Sequence, residues 1–255
     1  MGRGTRHMIV PHKRDDKARG PCQDRGVADD VSNRVAPDGL VDFDRADLVE
    51  VERSADLIVW RVGDSVAEVI LDHESPSFWS ELASEPTQRS LSRRLHDACA
   101  AEQRGVVDLA ILEPRALHGA RILSVLLKQQ RSGADGLAYD GVIALPLRGG
   151  DALTISVTAE EGGVTGLREA AVLDRLRDEI TLAVPRWVEM LDDEDPGPVP
   201  WRPTHADTAR WDAIVPDHPL SIVRRVTGRL IASLRLQPWT AEALLCLPAP
   251  GSGWV

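Results

Sequence analysis

Two apolar runs joined by a glycine turn limit the possible folds of this chain more than any other feature. Residues 141–147 read GVIALPL, residues 148–151 read RGGD and residues 152–158 read ALTISVT. Apolar runs on both sides of a Gly-Gly step predict a β-hairpin. Pairing about Gly149–Gly150 makes one face wholly apolar, with Val142, Ala144 and Pro146 opposite Val157, Ile155 and Leu153. The other face is half apolar, so we expect at least partial cover on both faces of the sheet.

The rest of the chain shows strand patterns first and long helical patterns later. β-branched and aromatic runs predict strands, and they lie at 46–53, 56–62, 66–73 and 106–112. Residues 120–130 read ARILSVLLKQQ, which fits a strand buried on both faces or a short buried helix. Helical spacing of apolar residues predicts helices, and it occurs at 75–83, 86–104, 167–180 and 219–234.

Strands that cluster before the long helices, without regular alternation, favour an α+β fold over a βαβ fold. We therefore predict a mainly antiparallel sheet of about seven strands packed with helices, as a two- or three-layer sandwich. This order of elements is similar to that of sandwiches of the PsbP and Mog1 type. The similarity is one of topology, and no sequence motif accompanies it.

Composition sets the predicted domain boundaries. Residues 1–36 are polar and charged, are interrupted by glycine and proline and carry few apolar side chains, so we expect a disordered N-terminal tail. A single α+β domain is predicted for 37–235 and a C-terminal tail for 236–255. With 43% hydrophobic residues, the chain has enough apolar side chains for one large core.

Charge and cysteine content exclude several classes of protein. The formal net charge is −10, and residues 1–34 carry eight basic and five acidic side chains, so the remainder is at −13 and should repel nucleic acid. The 27 arginines against three lysines indicate a GC-rich bacterial genome. Three cysteines without CxxC spacing predict reduced thiols. With no secretory signal pattern and no apolar run long enough to span a membrane, we expect a cytoplasmic protein.

The stretch EEGGVTGLREAAVLDRL, residues 160–176, is the strongest candidate for a polar site. Glycines before a helix can expose amides to an anion, and a site would then be built from Glu161, Thr165, Arg168 and Glu169. The structural interpretation is favoured: the glycines allow a sharp turn, Thr165 caps the helix and the acids complement its dipole. In that helix, spacing predicts a buried stripe made of Leu167, Ala170, Leu173, Leu176 and Ile180.

Histidines beside carboxylates are the other candidates for chemistry. Asp72-His73-Glu74 ends a predicted strand, where only Asp72 and Glu74 share a face, so a metal site would need further ligands. Asp217-His218-Pro219 is interpreted as a helix start. Because no nucleophile, phosphate loop or complete ligand set accompanies these residues, we predict no cofactor and no metal.

These observations lead to three hypotheses of function. The first is a non-enzymatic binding or regulatory protein, of the accessory or immunity type, that holds another protein through acidic surfaces. The second is a hydrolase or transferase with its site at Glu161–Glu169, and the third is attachment to a membrane surface through the arginines of 219–235. The candidate interaction residues are Asp192, Asp193, Glu194, Asp195, Arg224, Arg225 and Arg229.

Overall fold

Seven antiparallel strands form one sheet, in the order β2-β3-β4-β8-β7-β6-β5. The computed structural model describes residues 37–63, 67–74, 77–83, 85, 87–113, 117, 121–130, 136–147, 150–162, 166–180 and 203–237. The strands of the sheet are β2 Leu48–Arg53, β3 Leu57–Val62, β4 Glu68–Glu74, β5 Arg104–Leu112, β6 Ile122–Gln130, β7 Leu137–Pro146 and β8 Ala152–Glu160. A separate two-stranded pair joins β1 Val41–Asp42 to β9 Arg235–Leu236. The predicted α+β class with a seven-stranded antiparallel sheet is confirmed.

Helices cover both faces of this sheet. The four α-helices in the described part of the chain are α1 Phe78–Ala83, α2 Gln88–Ala101, α3 Leu167–Ile180 and α4 Pro219–Ser233. Among the described residues, 3-10 turns lie at Pro37–Gly39, His205–Asp207 and Ala209–Trp211. No helix within the described ranges has both the length and the apolar character needed to cross a bilayer.

The two faces of the sheet bury separate apolar clusters. On one face α4 contributes Leu220, Val223, Val226 and Leu230, which have the helical spacing of apolar residues that predicted a helix at 219–234, to a cluster with β3, β4, β7 and β8. On the other face, α1 and α2 pack on β6 and β7, with Cys99 of α2 inside the cluster. Burial raises the pKa of the Cys99 thiol to about 11, which fits packing and not reactivity. The expected cover on both faces is therefore present, as a three-layer arrangement.

The hairpin is confirmed, but the predicted register is wrong by one residue. Leu145 lies opposite Leu153 and Ile143 opposite Ile155, so these side chains share a face. Leu147 N donates to Asp151 O at 2.8 Å, which makes the connection three residues long, and Gly150 has φ 95°. A three-residue connection with a left-handed glycine replaces the expected two-residue turn. Because side chains alternate along a strand, this shift of one residue places the other set of β8 side chains opposite each set of β7 side chains.

The apolar stripe predicted for α3 is also corrected. Leu167 is 61% exposed and Leu173 is 52% exposed, and Ala170 is exposed as well. Of the side chains that the structure describes in this helix, the buried ones are Arg168, Val172 and Leu176, spaced at i, i+4 and i+8, so the burial predicted for Leu176 is confirmed. The side chain of Ile180 lies outside the described part of the chain. Val172 and Leu176 pack against Ala206 and Trp211. The helix is therefore turned by about one residue from the expected orientation, and it directs an arginine into the protein.

A buried carboxyl on β7 predicts an unusual pH dependence of stability. Asp140 shares a face with Val142, its carboxylate accepts a hydrogen bond from Gln129 Nε2 at 2.8 Å, and burial raises its pKa. A raised pKa means that the folded protein favours the neutral acid, so stability falls as pH rises from the unfolded pKa through the folded pKa. Asp140→Asn should therefore raise the melting temperature by a few degrees at pH 7, and the gain should shrink toward zero below about pH 4.

Thermal unfolding of both proteins between pH 3.5 and 8 measures this difference. Asp174→Asn, at an exposed position of α3, is the control and should change the melting temperature little at any pH. A gain from Asp140→Asn that is the same at every pH would contradict the assignment of a buried, disfavoured charge.

Candidate functional site

A cluster of buried polar side chains lies where β8 leads into α3. Three of the four residues selected from the sequence are in it, since Glu161 follows β8 and Arg168 and Glu169 lie in the first turn of α3. Thr165 lies outside the described residues. The cluster also contains Lys128, Tyr139, Asp207, Asp212, His218 and Ser221, which come from β6, β7 and the segment 203–221.

Arg168 is completely buried, with 0% of its surface exposed, and its guanidinium is bound on all sides. Nε donates to Ala206 O at 2.6 Å and Nη1 donates to Ser221 Oγ at 2.8 Å. Nη2 donates to Thr208 O at 3.1 Å and to Asp212 Oδ1 at 2.7 Å. A planar fork of donors is suited to such a set of acceptors. Arg168 thus joins α3 to the 3-10 turns and to the first turn of α4.

Lys128 and Asp207 form a second buried ion pair in the cluster. Lys128 Nζ lies 3.0 Å from Asp207 Oδ2 and 3.4 Å from Glu169 Oε1, and both Lys128 and Asp207 are buried. The same Asp207 oxygen accepts a hydrogen bond from Thr204 N at 2.7 Å. Charges withdrawn from water require such partners, because each carries a desolvation cost of several kcal/mol. The pair therefore fastens the turn His205–Asp207 to β6 of the sheet.

Tyr139, Glu161 and His218 form a hydrogen-bonded chain beside these ion pairs. Tyr139 Oη donates to Glu161 Oε1 at 3.0 Å, and His218 Nε2 lies 3.0 Å from the same oxygen. Leu220 N donates to His218 Nδ1 at 3.1 Å, so His218 is the N-cap of α4 and its hydrogen is on Nε2. Burial, followed by the charge of Glu161, raises the pKa of the Tyr139 phenol. The phenol therefore remains a hydrogen-bond donor at neutral pH.

This arrangement is suited to holding elements together more than to turning over a substrate. A histidine beside a carboxylate can act as a base only when it reaches the proton that it removes. Here the His218 ring points one nitrogen at a helix amide and the other at Glu161, and both side chains are buried. Among the described residues of this cluster, the buried side-chain atoms without a hydrogen-bond partner are Oε2 of Glu161, Oε2 of Glu169 and Nε of Arg224.

The arginines of α4 do not form one free cationic face. Arg224 Nη1 lies 3.0 Å from Asp212 Oδ1, so this side chain belongs to the buried cluster. Arg229 forms an ion pair with Asp47, which precedes β2. Arg225 is exposed and donates to Pro216 O at 3.2 Å. The acidic run Asp192–Asp195, the other predicted interaction surface, lies outside the described residues.

The residues 72–74 at the end of β4 are engaged in local contacts. Ser77 Oγ donates to Glu74 Oε2 at 2.9 Å, and burial raises the pKa of Glu74. His73 Nε2 lies 3.7 Å from Asp151 Oδ2. Across the part of the chain that the structure describes, no three His, Cys, Asp or Glu side chains are grouped closely enough to hold a metal ion.

An acidic surface that the sequence pattern did not indicate lies at one edge of the sheet. We define the acidic edge as residues 42–56, which carry six carboxylates and two guanidiniums, a net charge of −4. Its strand β2 has Val49 at 61% and Val51 at 46% exposure, with Glu50 and Glu52 also exposed. The sequence LVEVER predicted a strand correctly, but the pattern did not indicate that the strand lies at the end of the sheet.

No protein-family model and no curated protein sequence matches the chain. Among solved structures, it is similar to the Saccharomyces cerevisiae Ran-binding protein Mog1p, with 7% identity and a TM-score of 0.40 over 77% of this chain and 89% of that chain. A mutant of protein Mog1 gives 6% identity and a TM-score of 0.37, over 75% and 87% of the two chains. At these values the likeness says nothing of what this chain binds.

Proposed function

We propose that this chain is a non-enzymatic accessory or regulatory protein, of the immunity type, which binds a basic partner protein through the acidic edge. The observation that carries the proposal is the exposure of Val49 and Val51 between carboxylates on an end strand of the sheet. Exposed apolar side chains surrounded by charge are typical of protein interaction sites. The negative charge around them favours and steers a partner of opposite charge.

The buried cluster supports this proposal from the other direction. The side chains that would do chemistry, namely Arg168, Lys128, Asp207, Tyr139 and Glu161, are all buried and bound to one another or to the backbone. Such a network stabilises the positions of α3 and α4 on the sheet, and it needs no substrate to account for it. We therefore place function on the surface and not in the cluster.

The arginines of α4 offer less support for membrane attachment. Binding to anionic lipid relies on basic side chains that are available to the surface. Arg224 and Arg229 instead form ion pairs with Asp212 and Asp47. Arg225 alone of the three is exposed, which is a small charge for a stable membrane contact.

The proposal is tested by recovery of a partner from an extract of the organism that encodes the chain. Glu52→Lys/Asp56→Lys reverses two exposed charges of the acidic edge, and Asp97→Lys/Asp174→Lys reverses two exposed charges on α2 and α3. We expect the tagged parent and the α2/α3 variant to retain a partner in near-stoichiometric amount after cross-linking, and we expect the acidic-edge variant to lose it.

Size-exclusion chromatography of the extract provides the second measurement. The parent should elute in a complex larger than the free protein, and the acidic-edge variant should elute as the free protein. If the parent itself elutes free, or if both variants keep the partner equally, the proposal of binding through the acidic edge is wrong.

A further inference from the structure

Resting on the proposed function, we infer that the partner docks by adding an extended, basic segment as an eighth strand beside β2. Strand addition to an open sheet edge is a recurrent mode of recognition, in which backbone hydrogen bonds give affinity and side chains give selectivity. The inference rests on three features of β2: its position in the sheet, its side chains and its charge.

The first feature is that β2 ends the sheet. It pairs with β3 along one side only, and the described residues place no strand on its other side. Alternate N–H and C=O groups of such a strand point away from its neighbour and can pair with another chain. The other end strand, β5, differs because Val107 and Leu112 pack against one apolar cluster and Leu109 and Ile111 against the other. Five of the six side chains of β2 are exposed.

The second feature is the distribution of side chains along β2. A bulge lies between Glu50 and Glu52, where the pairing with β3 shifts by one residue, so Val51 is the extra residue. Bulges and charges on an end strand hinder indiscriminate pairing. The side chains of Val49 and Val51 are exposed and are available to contact apolar side chains of an incoming strand. Selectivity therefore depends on a partner that supplies both apolar and complementary charged residues.

The third feature is charge, which favours a basic partner over a second copy of this chain. Arg53 is held by Glu50 at 2.7 Å and by Asp38 at 3.0 Å. Glu52 has no ion-pair partner within the described residues. Two acidic edges placed side by side would bring together two segments of net charge −4. Like charges opposite one another destabilise a strand pair, whereas lysine or arginine in the incoming strand would relieve the charge of Glu52.

The exposed leucines of α3 provide no comparable argument. Leu167 and Leu173, two residues of the predicted apolar stripe, are exposed, but residues 181–202, which follow α3 directly, lie outside the described residues. Nothing therefore indicates what covers that stripe. We prefer β2 as the docking site because its position at the end of the sheet specifies an extended segment and its negative charge specifies a basic one.

Binding of capped peptides to the full chain tests the inference. The probe is a peptide of alternating valine and lysine, the first control replaces lysine with glutamate, and the second control carries N-methyl groups on alternate residues. N-methylation keeps the charge but removes the backbone donors that strand pairing requires. Affinity is measured by fluorescence anisotropy at low salt, and hydrogen exchange locates the protected amides.

We expect the valine–lysine peptide to bind and to slow exchange within residues 48–53, and we expect both control peptides to bind at least about tenfold more weakly. Glu52→Lys should weaken the probe about three- to tenfold at low salt. Asp174→Lys, which changes the total charge equally, should leave affinity unchanged. Equal binding of the N-methylated peptide would overturn strand addition, because charge alone would then account for the affinity.

One further outcome separates this inference from the proposed function. If a partner is recovered from the extract through the acidic edge but protects no amides in β2, strand addition is wrong and the proposed function stands. If neither the extract nor the peptides give binding, both are wrong. Concentration-dependent dimerisation of the chain with protection of β2 would also overturn the inference, since the occupant would then be a second copy.

Discussion

Replacement of Arg168 by methionine should lower the free energy of unfolding by about 3–5 kcal/mol, the range found when one partner of a buried ion pair is removed. Methionine fills a similar length but provides no donor. Ala206 O, Thr208 O and Ser221 Oγ would lose the donors they have in the folded protein. Each buried acceptor left unpaired costs about 1–3 kcal/mol. Asp212 keeps Arg224, so the loss falls mainly on the other acceptors.

Urea unfolding of the parent and variant measures this loss. Arg175→Met is the matched control because Arg175 is exposed on the same helix, and it should change stability by less than about 0.5 kcal/mol. Arg168→Lys should fall between the two, since an ammonium keeps the charge but cannot match the planar set of acceptors. If Arg168→Met is as stable as the parent, the residue is not a structural clamp, and a binding or catalytic role for the cluster becomes the better explanation.

The orientation of α3 shows where sequence patterns mislead. Periodicity treats leucine as interior and arginine as surface, and on α4 this rule located the buried stripe correctly. On α3 the same rule failed because Arg168 has internal acceptors that are 38 to 53 residues away in sequence. A local pattern carries no information about such partners. Only the tertiary arrangement decides that the guanidinium is buried and that Leu167 is exposed.

The sequence indicated only some of the residues of the candidate site. The stretch 160–176 was selected because glycines and charges precede a helix, and Glu161, Arg168 and Glu169 do meet in one cluster. Lys128 was missed, although a lysine within an apolar strand that is buried on both faces is itself a signal of an internal partner. That partner, Asp207, is 79 residues away in sequence. Which residues enter the cluster therefore depends on which segments are neighbours in the fold, and the sequence pattern does not specify those neighbours.

The strand content was predicted more reliably than the strand positions. Each segment of the sheet has its own β-branched or apolar run, and this local property is enough to indicate a strand. The order of strands depends on which pairs form across long separations, and the paired residues of β4 and β8 are 78 (Glu74 and Ala152) to 90 (Glu68 and Thr158) positions apart in the sequence. For that reason the exposed position of β2, on which the proposed function depends, became visible only in the fold.

Substitution of Gly141 by alanine should destabilise the protein by about 1–3 kcal/mol, as overpacking of a core does. Gly141 lies in β7 beneath α4, and a Cβ atom there would approach Thr227 Oγ1 to 2.3 Å and Val223 Cγ1 to 2.9 Å. Both contacts are shorter than the separation of non-bonded atoms, so α4 would have to move away from the sheet. The His218 cap and Arg224 are on the same helix, so the movement would also disturb the buried cluster.

Gly228→Ala is the matched control because it lies on α4 and a Cβ atom there would meet nothing within 4 Å. Alanine in a helix is favoured over glycine by about 1 kcal/mol, so this variant should be more stable than the parent, the opposite sign to Gly141→Ala. Thr227→Ala should restore part of the loss in Gly141→Ala, since Thr227 Oγ1 has no hydrogen-bond partner within the described residues. Chemical unfolding of the three single variants and of the double variant Gly141→Ala/Thr227→Ala gives the free energy of unfolding of each. If Thr227→Ala restores nothing, the close packing of α4 on β7 is not the cause of the loss.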